Sequence, residues 1–181
     1  MIQNSSDSFG WFSIVMHWLS FLLVTFLLAG GLYMVGLTYY DPLYHTLPEW
    51  HKLFGVILAV LTLMRVAWIL YSKPPSVLAE NPFLVRLAKL MHWVLYAGLV
   101  VLIVTGYLMT TADGKSIQFF ETEIMPASVQ ISQSLSEWFG KVHRWSAYGL
   151  AGLVLLHALA AFKHHFMNRD TTLKRMLFPL K

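Results

Sequence analysis

Residues 138–166, WFGKVHRWSAYGLAGLVLLHALAAFKHHF, decide the fold of this chain. The stretch contains no acidic residue and is longer than the roughly 20 residues that a helix needs to cross a bilayer core. His143 and His157 are 14 positions apart, which in an α-helix means about 21 Å along the axis and about 40° around it. The stretch therefore predicts a membrane-spanning helix that presents two imidazoles on one face.

The composition of the whole chain agrees with a membrane protein. Of its 181 residues, 57% are hydrophobic and only 12% are charged, about half of the roughly 25% found in soluble domains. The absence of cysteine excludes disulfide frameworks, iron–sulfur clusters and covalently attached c-type haem. The net charge of +4 comes from basic residues scattered between apolar runs, which argues against a nucleic-acid-binding surface.

Three further stretches have the length and hydropathy of spanning helices. We expect one all-α domain over residues 1–181, an integral membrane four-helix bundle. Its spans are predicted at residues 11–37, 50–71, 84–111 and 138–166. The first span is not a cleavable signal peptide, because no Lys or Arg precedes it and its apolar run is too long. Residues 129–139 form either a short interfacial helix or the start of the fourth span.

The basic residues near the span ends predict the orientation. The side that holds both termini carries nine of them: Arg65, Lys73, Arg86, Lys89, Lys163, Arg169, Lys174, Arg175 and Lys181. The other side carries four bases and six acids: Lys52, Lys115, Lys141, Arg144, Asp41, Glu49, Asp113, Glu121, Glu123 and Glu137. Because cytoplasmic loops are enriched in Lys and Arg, both termini are predicted to be cytoplasmic.

Four histidines fall at matching depths of this bundle. His17 and His157 lie toward the cytoplasmic side, and His51 and His143 toward the outer side, because the first two spans run antiparallel. Ionisable residues inside membrane helices are rare and tend to face the bundle interior. The sequence therefore predicts two pairs of imidazoles that meet across helices, His51 with His143 and His17 with His157.

Two stacked imidazole pairs, with no thiolate or carboxylate at their depth, suit two haems with two axial histidines each. Such iron has no open position, which favours electron transfer over oxygen binding. A single membrane histidine is more often a packing residue than a ligand, but the joint pattern of depth and spacing favours ligands. Gly31, 14 residues after His17, leaves room for a flat ring on the same face.

These residues, together with two further motifs, resemble the prokaryotic cytochrome b561 family. The motifs are His17-Trp18 in the first span, and KHHF at residues 163–166 followed by DTTLKRM at residues 170–176. The resemblance covers nearly the whole chain and implies a bacterial inner-membrane cytochrome with four helices and two haem b groups. The haem ligands that it implies are His17, His51, His143 and His157.

The resemblance also implies a function. Members of the family are similar to quinone-linked electron carriers, and one branch is a superoxide oxidase that passes electrons inward to ubiquinone. The implied activity is that of an oxidoreductase between a periplasmic donor, such as superoxide, and membrane ubiquinone. Relatives also look associated with a periplasmic lipocalin-like isoprenoid-binding protein. A second hypothesis is therefore a membrane anchor that relays electrons for such a partner.

Further polar residues are candidates for the cytoplasmic end of the electron path. Arg65 lies 14 residues after His51 and so returns to the same helix face near the inner pair. Its charge is accommodated either by an ion pair with a haem propionate or by extension of the side chain to the lipid interface. His92 and His164 are expected at similar depths, and with Lys89 they form a candidate quinone pocket.

On the outer side, Lys115, Lys141 and Arg144 form a candidate basic patch over the outer haem. They suit an anion such as superoxide, and they equally suit lipid headgroups or haem propionates. A transporter for metal ions is a third interpretation of the intramembrane histidines. It fits less well, because no carboxylate lies in the middle of a span to bind a hard or borderline cation.

Overall fold

The computed structural model describes residues 1–78 and 81–180 and consists mainly of four long helices. They are α1 (Trp11–Met34), α2 (Thr46–Tyr71), α3 (Pro82–Thr110) and α4 (Gln133–Lys163). Each is long and apolar enough to cross a membrane. The predicted all-α architecture is therefore confirmed. The predicted loop at residues 72–83 is described only in part, and Lys181, counted above among the basic residues, lies outside the described residues.

Local capping explains where the helices begin. Pro82 occupies the first turn of α3, and the Oδ1 atom of Asn81 accepts a hydrogen bond from the backbone N–H of Phe83 (2.8 Å). Ser132 caps α4 in the same way, through the N–H of Leu135 (3.4 Å). The helix of the fourth span therefore begins at Gln133, five residues before the predicted boundary. Of the two interpretations of residues 129–139, the structure favours the start of the span over a separate interfacial helix.

The bundle packs α1 on α2 and α3 on α4, and joins these two pairs more sparsely. Its small core consists of Met16, Leu23, Val24, Leu58, Leu61, Leu99 and Leu150. Large apolar side chains cover the outer faces of the helices, such as Leu70 with 81% and Trp93 with 74% of its surface exposed. A surface of this kind suits lipid as its surroundings.

The long loop between α3 and α4 contains a short antiparallel hairpin that the sequence analysis did not predict. Its strands are β1 (Ile117–Phe119) and β2 (Thr122–Met125), and Phe120 between them has a φ of 52°. The ring of Phe119 packs against Trp50 at the start of α2, with 4.9 Å between the ring centres. The hairpin thus lies beside the outer end of α2.

At the opposite end, the segment after α4 folds back onto the N-terminal segment. A π-helical turn (His164–Asn168) extends α4, and Arg169 then reverses the chain with a φ of 56°. The indole Nε1–H of Trp18 donates to the carbonyl oxygen of Met176 (2.6 Å), and the N–H of Leu180 donates to Ser8 Oγ (2.8 Å). We call residues 1–10, 72–78 and 169–180 the terminal cap.

Candidate functional site

The outer pair brings together an imidazole from the second turn of α2, His51, and one that lies ten residues into α4, His143. The ring centres of His51 and His143 are 6.4 Å apart, and the ring planes are inclined by 70°. A glycine adjoins each ring. A Cβ atom added to Gly31 would lie 3.5 Å from His51 Cε1, and one added to Gly106 would lie 3.1 Å from His143 Cε1. The backbone of α3 therefore approaches His143 so closely that a larger residue would displace the ring.

Hydrogen bonds fix the orientation of His143. Its Nδ1 atom lies 3.0 Å from the carbonyl oxygen of Leu102 and 3.2 Å from the Oγ1 atom of Thr105. Because a carbonyl oxygen can only accept, the proton of the neutral ring is assigned to Nδ1. The Nε2 lone pair is then free to bind a metal ion, the arrangement that metal-ligating histidines commonly show.

His51 is held differently. Its Nδ1 atom is buried, and in the described part of the chain it has no hydrogen-bond partner. A buried ring nitrogen without a partner costs free energy, so such atoms are uncommon in native proteins. A buried imidazole that lacks a hydrogen-bond partner and lies beside a second imidazole is expected where a bound group supplies the missing contacts.

The inner pair has nearly the same spacing as the outer pair. The ring centres of His17 and His157 are 6.3 Å apart, with 58° between their planes. His17 also packs edge-on against Trp18, whose indole binds the carbonyl oxygen of Met176 in the terminal cap. The inner pair therefore lies next to the segment that closes this end of the bundle.

Both pairs have the spacing that two axial ligands of one metal ion require. An imidazole nitrogen binds a first-row metal ion at about 2.0 Å and lies about 1.2 Å from its ring centre, so two opposite rings have centres about 6.4 Å apart. The measured values of 6.3 and 6.4 Å agree with this distance. Added Cβ atoms at Gly55, Gly149 and Gly152 would meet no atom within 4 Å, so these helix faces leave open space. The residues present thus fit two bis-imidazole haems.

The two candidate quinone histidines have different partners in the structure. His92 and His164 were expected at similar depths, and His92 contacts the inner pair. Its ring lies 5.2 Å from that of His157, and its Nδ1 atom bonds the carbonyl oxygen of Ala88 (2.7 Å). His164 instead bonds Asp170 Oδ2 through Nδ1 (2.5 Å), which ties it to the terminal cap. The reason is helix geometry, because His92 is ten residues into α3 whereas His164 follows the end of α4.

Two other cytoplasmic candidates are less constrained. The guanidinium carbon of Arg65 lies 5.4 Å from the ring centre of Tyr96 on α3, a cation–π arrangement. Arg65 is half-buried, and Lys89 is exposed on α3 one turn before His92. Neither side chain has a carboxylate partner among the described residues. Both cations are therefore free to meet an anionic group or the lipid interface.

A polar cavity of about 480 Å³ opens at the outer end of the bundle, and we call it the outer cavity. Its lining includes Glu49, Lys52, Thr110, Asp113, Lys115 and Gln118. Of the three predicted outer basic residues, only Lys115 lines it, while Lys141 and Arg144 lie exposed on α4 away from its lining. Lys52, which the sequence analysis left outside the basic patch, is the second cation of the outer cavity.

The charges of the outer cavity are paired. Lys52 Nζ lies 2.5 Å from Glu49 Oε1, and Lys115 Nζ lies 2.9 Å from Asp113 Oδ2. The hydrogen bond from Lys115 holds the pKa of Asp113 below its ordinary value, and the Asp113 carboxylate in turn raises the pKa of Lys115. Both members of this pair are therefore ionised at neutral pH.

Sequence reasoning missed the groups that support the site. Thr105 and the Leu102 carbonyl group act through a contact between α3 and α4 that spacing on one helix cannot reveal. Glu49 and Lys52 are three residues apart on one helix, so the i,i+3 rule would have found their pairing. Asp170 follows the left-handed Arg169, and the sequence gives no direct signal for that reversal.

Comparison with known proteins places this geometry in a family. Residues 8–179 match the family model described as prokaryotic cytochrome b561. The chain is 39% identical over 175 residues to cytochrome b561 homolog 2 of Escherichia coli, covering 96% of this chain and 93% of that protein. It is 31% identical to a protein of Yersinia pestis named probable superoxide oxidase CybB, with 91% and 92% covered.

A second Escherichia coli protein, cytochrome b561 homolog 1, is 28% identical over 170 residues. The family match extends over nearly the entire chain and includes all four paired histidines. Its members are membrane proteins that bind haem b and transfer electrons, and the four apolar helices agree with this. This chain is therefore a multi-pass bacterial membrane protein and belongs to the prokaryotic cytochrome b561 family.

Proposed function

We propose that this protein transfers electrons through two haem b groups, from a reductant at its outer side to ubiquinone at its cytoplasmic side. His51 and His143 would hold the outer haem, and His17 and His157 the inner haem. The observation that carries the proposal is the spacing of the two ring pairs, 6.4 and 6.3 Å, at two levels of one bundle. A haem b held by each histidine pair would supply one-electron exchange.

The residues of the chain have definable tasks in this function. The Leu102 carbonyl and Thr105 orient the His143 ring and keep its Nε2 atom unprotonated. Gly31 and Gly106 allow the rings of the outer pair to lie against neighbouring helices. The apolar helix faces exclude water from both sites, which suppresses side reactions of the transferred electron.

The cytoplasmic end is proposed to receive the quinone. His92, packed against His157, is the imidazole best placed to bind a quinone carbonyl near the inner pair. Arg65 and Lys89 add positive charge at that end. His164, which is bonded to Asp170, is proposed as a further residue of the quinone site. Arg65 is equally suited to bind a propionate of the inner haem. The cytoplasmic location of both termini rests on the basic residues of this side and is part of the proposal.

The hairpin supports a second candidate function, that of a membrane anchor for a periplasmic partner. Phe120 at its tip has 55% of its surface exposed, and Glu121 and Glu123 beside it are exposed as well. An exposed aromatic ring flanked by acids is a plausible docking element for a protein such as the lipocalin-like partner implied above. Reduction of ubiquinone by the isolated protein favours the enzyme, whereas activity only with a restored partner favours the anchor.

The haem stoichiometry tests the proposed function. Purified protein is expected to contain two haem b groups per chain, measured as the pyridine haemochrome against protein mass. His143→Ala and His157→Ala should each reduce the ratio to about one. The matched control is His45→Ala, because His45 is exposed in the loop before α2. Full haem content in a variant that lacks both His143 and His157 would refute the ligand assignment.

A further inference from the structure

The outer cavity adjoins the helix segments that carry the proposed outer haem site. Lys52, in its lining, is the neighbour of His51 in α2. Thr110, also in its lining, is one helical turn beyond Gly106, whose α-carbon faces the His143 ring. A small molecule in this cavity would therefore occupy the outer mouth of the electron path.

The cavity carries no net charge. Its four charged side chains are two cations and two carboxylates, joined in the pairs Glu49–Lys52 and Asp113–Lys115. The first pair is about three-quarters buried, with 24% and 26% of the side-chain surfaces exposed. The second Glu49 oxygen accepts from the backbone N–H of Phe120 (3.3 Å), so the hairpin holds this carboxylate in place.

This side of the protein carries no net positive charge. Lys141 and Arg144 do not line the cavity, and the outer side as a whole has six acids against four bases. Anionic ligands are steered by a positive potential and repelled by a negative one. The outer cavity therefore offers an anion no electrostatic advantage.

The lining instead suits a polar molecule without charge. Thr110 and Ser116 contribute hydroxyl groups, Gln118 contributes an amide, and the paired carboxylates still have free acceptor lone pairs. A hydroxyl group can donate to a carboxylate and accept from an amide or an ammonium group at the same time. Lys52 and Lys115 are already paired with Glu49 and Asp113, so a carboxylate group of a ligand would have to displace one of these acids from its lysine.

Resting on the proposed function, we infer that the outer cavity binds a small uncharged electron donor with hydroxyl groups, of the hydroquinone or enediol class. Glu49 and Asp113 occupy the two lysines of the cavity, and in this way they disfavour anionic donors, superoxide included. A bound donor of this class would give up one electron and one hydroxyl proton; the haem held by His51 and His143 would supply the electron acceptor, and water in the open cavity would take the proton.

Binding of redox-inert probes tests the inference apart from turnover. The probes are 1,3-dihydroxybenzene, which is uncharged, and 3,5-dihydroxybenzoate, which is an anion, titrated into haem-loaded protein and followed by saturation-transfer NMR. Wild-type protein should bind the uncharged probe at least about fivefold more tightly than the anion at low salt. Asp113→Asn should strengthen binding of the anion and so bring the two affinities together at low salt. In 0.5 M salt, this gain in affinity for the anion should disappear.

Glu137→Gln is the matched control, because Glu137 is an exposed acid on α4 that does not line the cavity. It should leave both affinities unchanged. In stopped-flow measurements, a neutral hydroquinone should reduce the haem faster than its sulfonate does, in the same order as the affinities of the probes. Equal affinity for both probes in the wild type, or no effect of Asp113→Asn, would overturn the inference. Failure of the haem stoichiometry test would overturn the proposed function instead, so the two failures are distinguishable.

Discussion

The Nδ1 atom of His143 lies 3.0 Å from the carbonyl oxygen of Leu102 on the neighbouring helix α3. This bond links the orientation of a proposed haem ligand to the packing of α3 on α4. The same Nδ1–H also reaches Thr105 Oγ1 at 3.2 Å, while the Thr105 hydroxyl donates to the carbonyl oxygen of Val101 (2.6 Å). The ring therefore has two acceptors on α3, and one of them is a side chain that can be replaced.

Replacing Thr105 by valine tests the effect of this second acceptor. An acceptor at Nδ1–H makes an imidazole a stronger electron donor and so stabilises iron(III). Thr105→Val removes that acceptor and should raise the midpoint potential of the outer haem. A loss of about 0.5 kcal/mol corresponds to about 20 mV for one electron. Spectroelectrochemical titration of the purified protein measures this shift.

Thr62→Val is the control for this substitution. Thr62 is buried on α2 and donates to the Leu58 carbonyl within its own helix, as Thr105 does to Val101. Among the residues that the structure describes, Thr62 has no bond to a histidine, so both midpoint potentials should stay at their wild-type values. Equal shifts in the two variants would show that the Thr105 effect comes from general helix packing.

Enlarging Gly106 should disturb the outer haem. The new Cβ atom would lie 3.1 Å from His143 Cε1, and the ring cannot retreat without losing its bonds to α3. We expect Gly106→Ala to lower the haem content toward one per chain and to cost about 1–3 kcal/mol of stability. Gly30→Ala is the control, because its Cβ would make only an ordinary contact with Leu47 (3.8 Å). Unchanged haem content in Gly106→Ala would contradict the close packing described above.

The bond between His164 and Asp170 should make attachment of the terminal cap depend on pH. Burial raises the pKa of Asp170, but hydrogen bonds from His164 and Thr172 outweigh it and hold the pKa below its ordinary value of 3.8. A lowered pKa stabilises the folded form above that ordinary value, and the stabilisation is lost as pH falls through the folded pKa. At neutral pH its full contribution is present.

Asp170→Asn is therefore expected to loosen the cap at neutral pH. Trypsin cleavage after the exposed residues Arg169 and Lys174 should become about fivefold faster, as read by mass spectrometry. Asp41→Asn is the control, because Asp41 is in the outer loop and bonds only Thr38 there. If cleavage is equally fast in wild type and Asp170→Asn, the carboxylate does not hold the cap.

The buried Arg175 leads to a prediction about stability. Only 4% of its surface is exposed, and Nη1 donates to the Ser76 carbonyl (3.0 Å), while Nε and Nη2 have no partner among the described residues. A buried cation that is only partly hydrogen-bonded contributes little, and an apolar residue of similar volume often replaces it without loss. Arg175→Met should keep or raise the melting temperature in detergent.

Arg175→Ala should have the opposite effect, because it leaves a void beneath Phe9, over whose ring the guanidinium carbon lies (6.0 Å). We expect a loss of about 2–3 kcal/mol, seen as a lower melting temperature. A strong destabilisation by Arg175→Met would instead mean that the positive charge itself holds the cap.

The helices and the histidine pairs could be predicted from the sequence for a common physical reason. Membrane spans are defined by length and hydropathy, and the regular rise of a helix converts residue spacing into depth. His143 and His157 share one helix, so their relation followed from arithmetic. Antiparallel neighbours then brought His51 and His17 to the same two levels, where the structure places them.

The rest could not be predicted because it depends on short or irregular segments. The strands of the hairpin have three and four residues, too few for an alternating pattern to stand out. The contact of His92 with His157 depends on how α3 packs against α4, which spacing along one helix does not reveal. The pairing of Lys115 with Asp113 depends on a loop turn at Gly114, which has a φ of 80°. Glycine permits this φ but does not require it, so the residue type alone does not predict the turn.

The terminal cap also constrains how the protein is assembled during synthesis. Trp18 and Ser8 are synthesised early, whereas their partners Met176 and Leu180 are synthesised more than 150 residues later. Until residues 174–180 have been synthesised, the part of the cap beside the inner histidine pair is incomplete. A cofactor that binds at the inner pair before that point would therefore enter a less enclosed site.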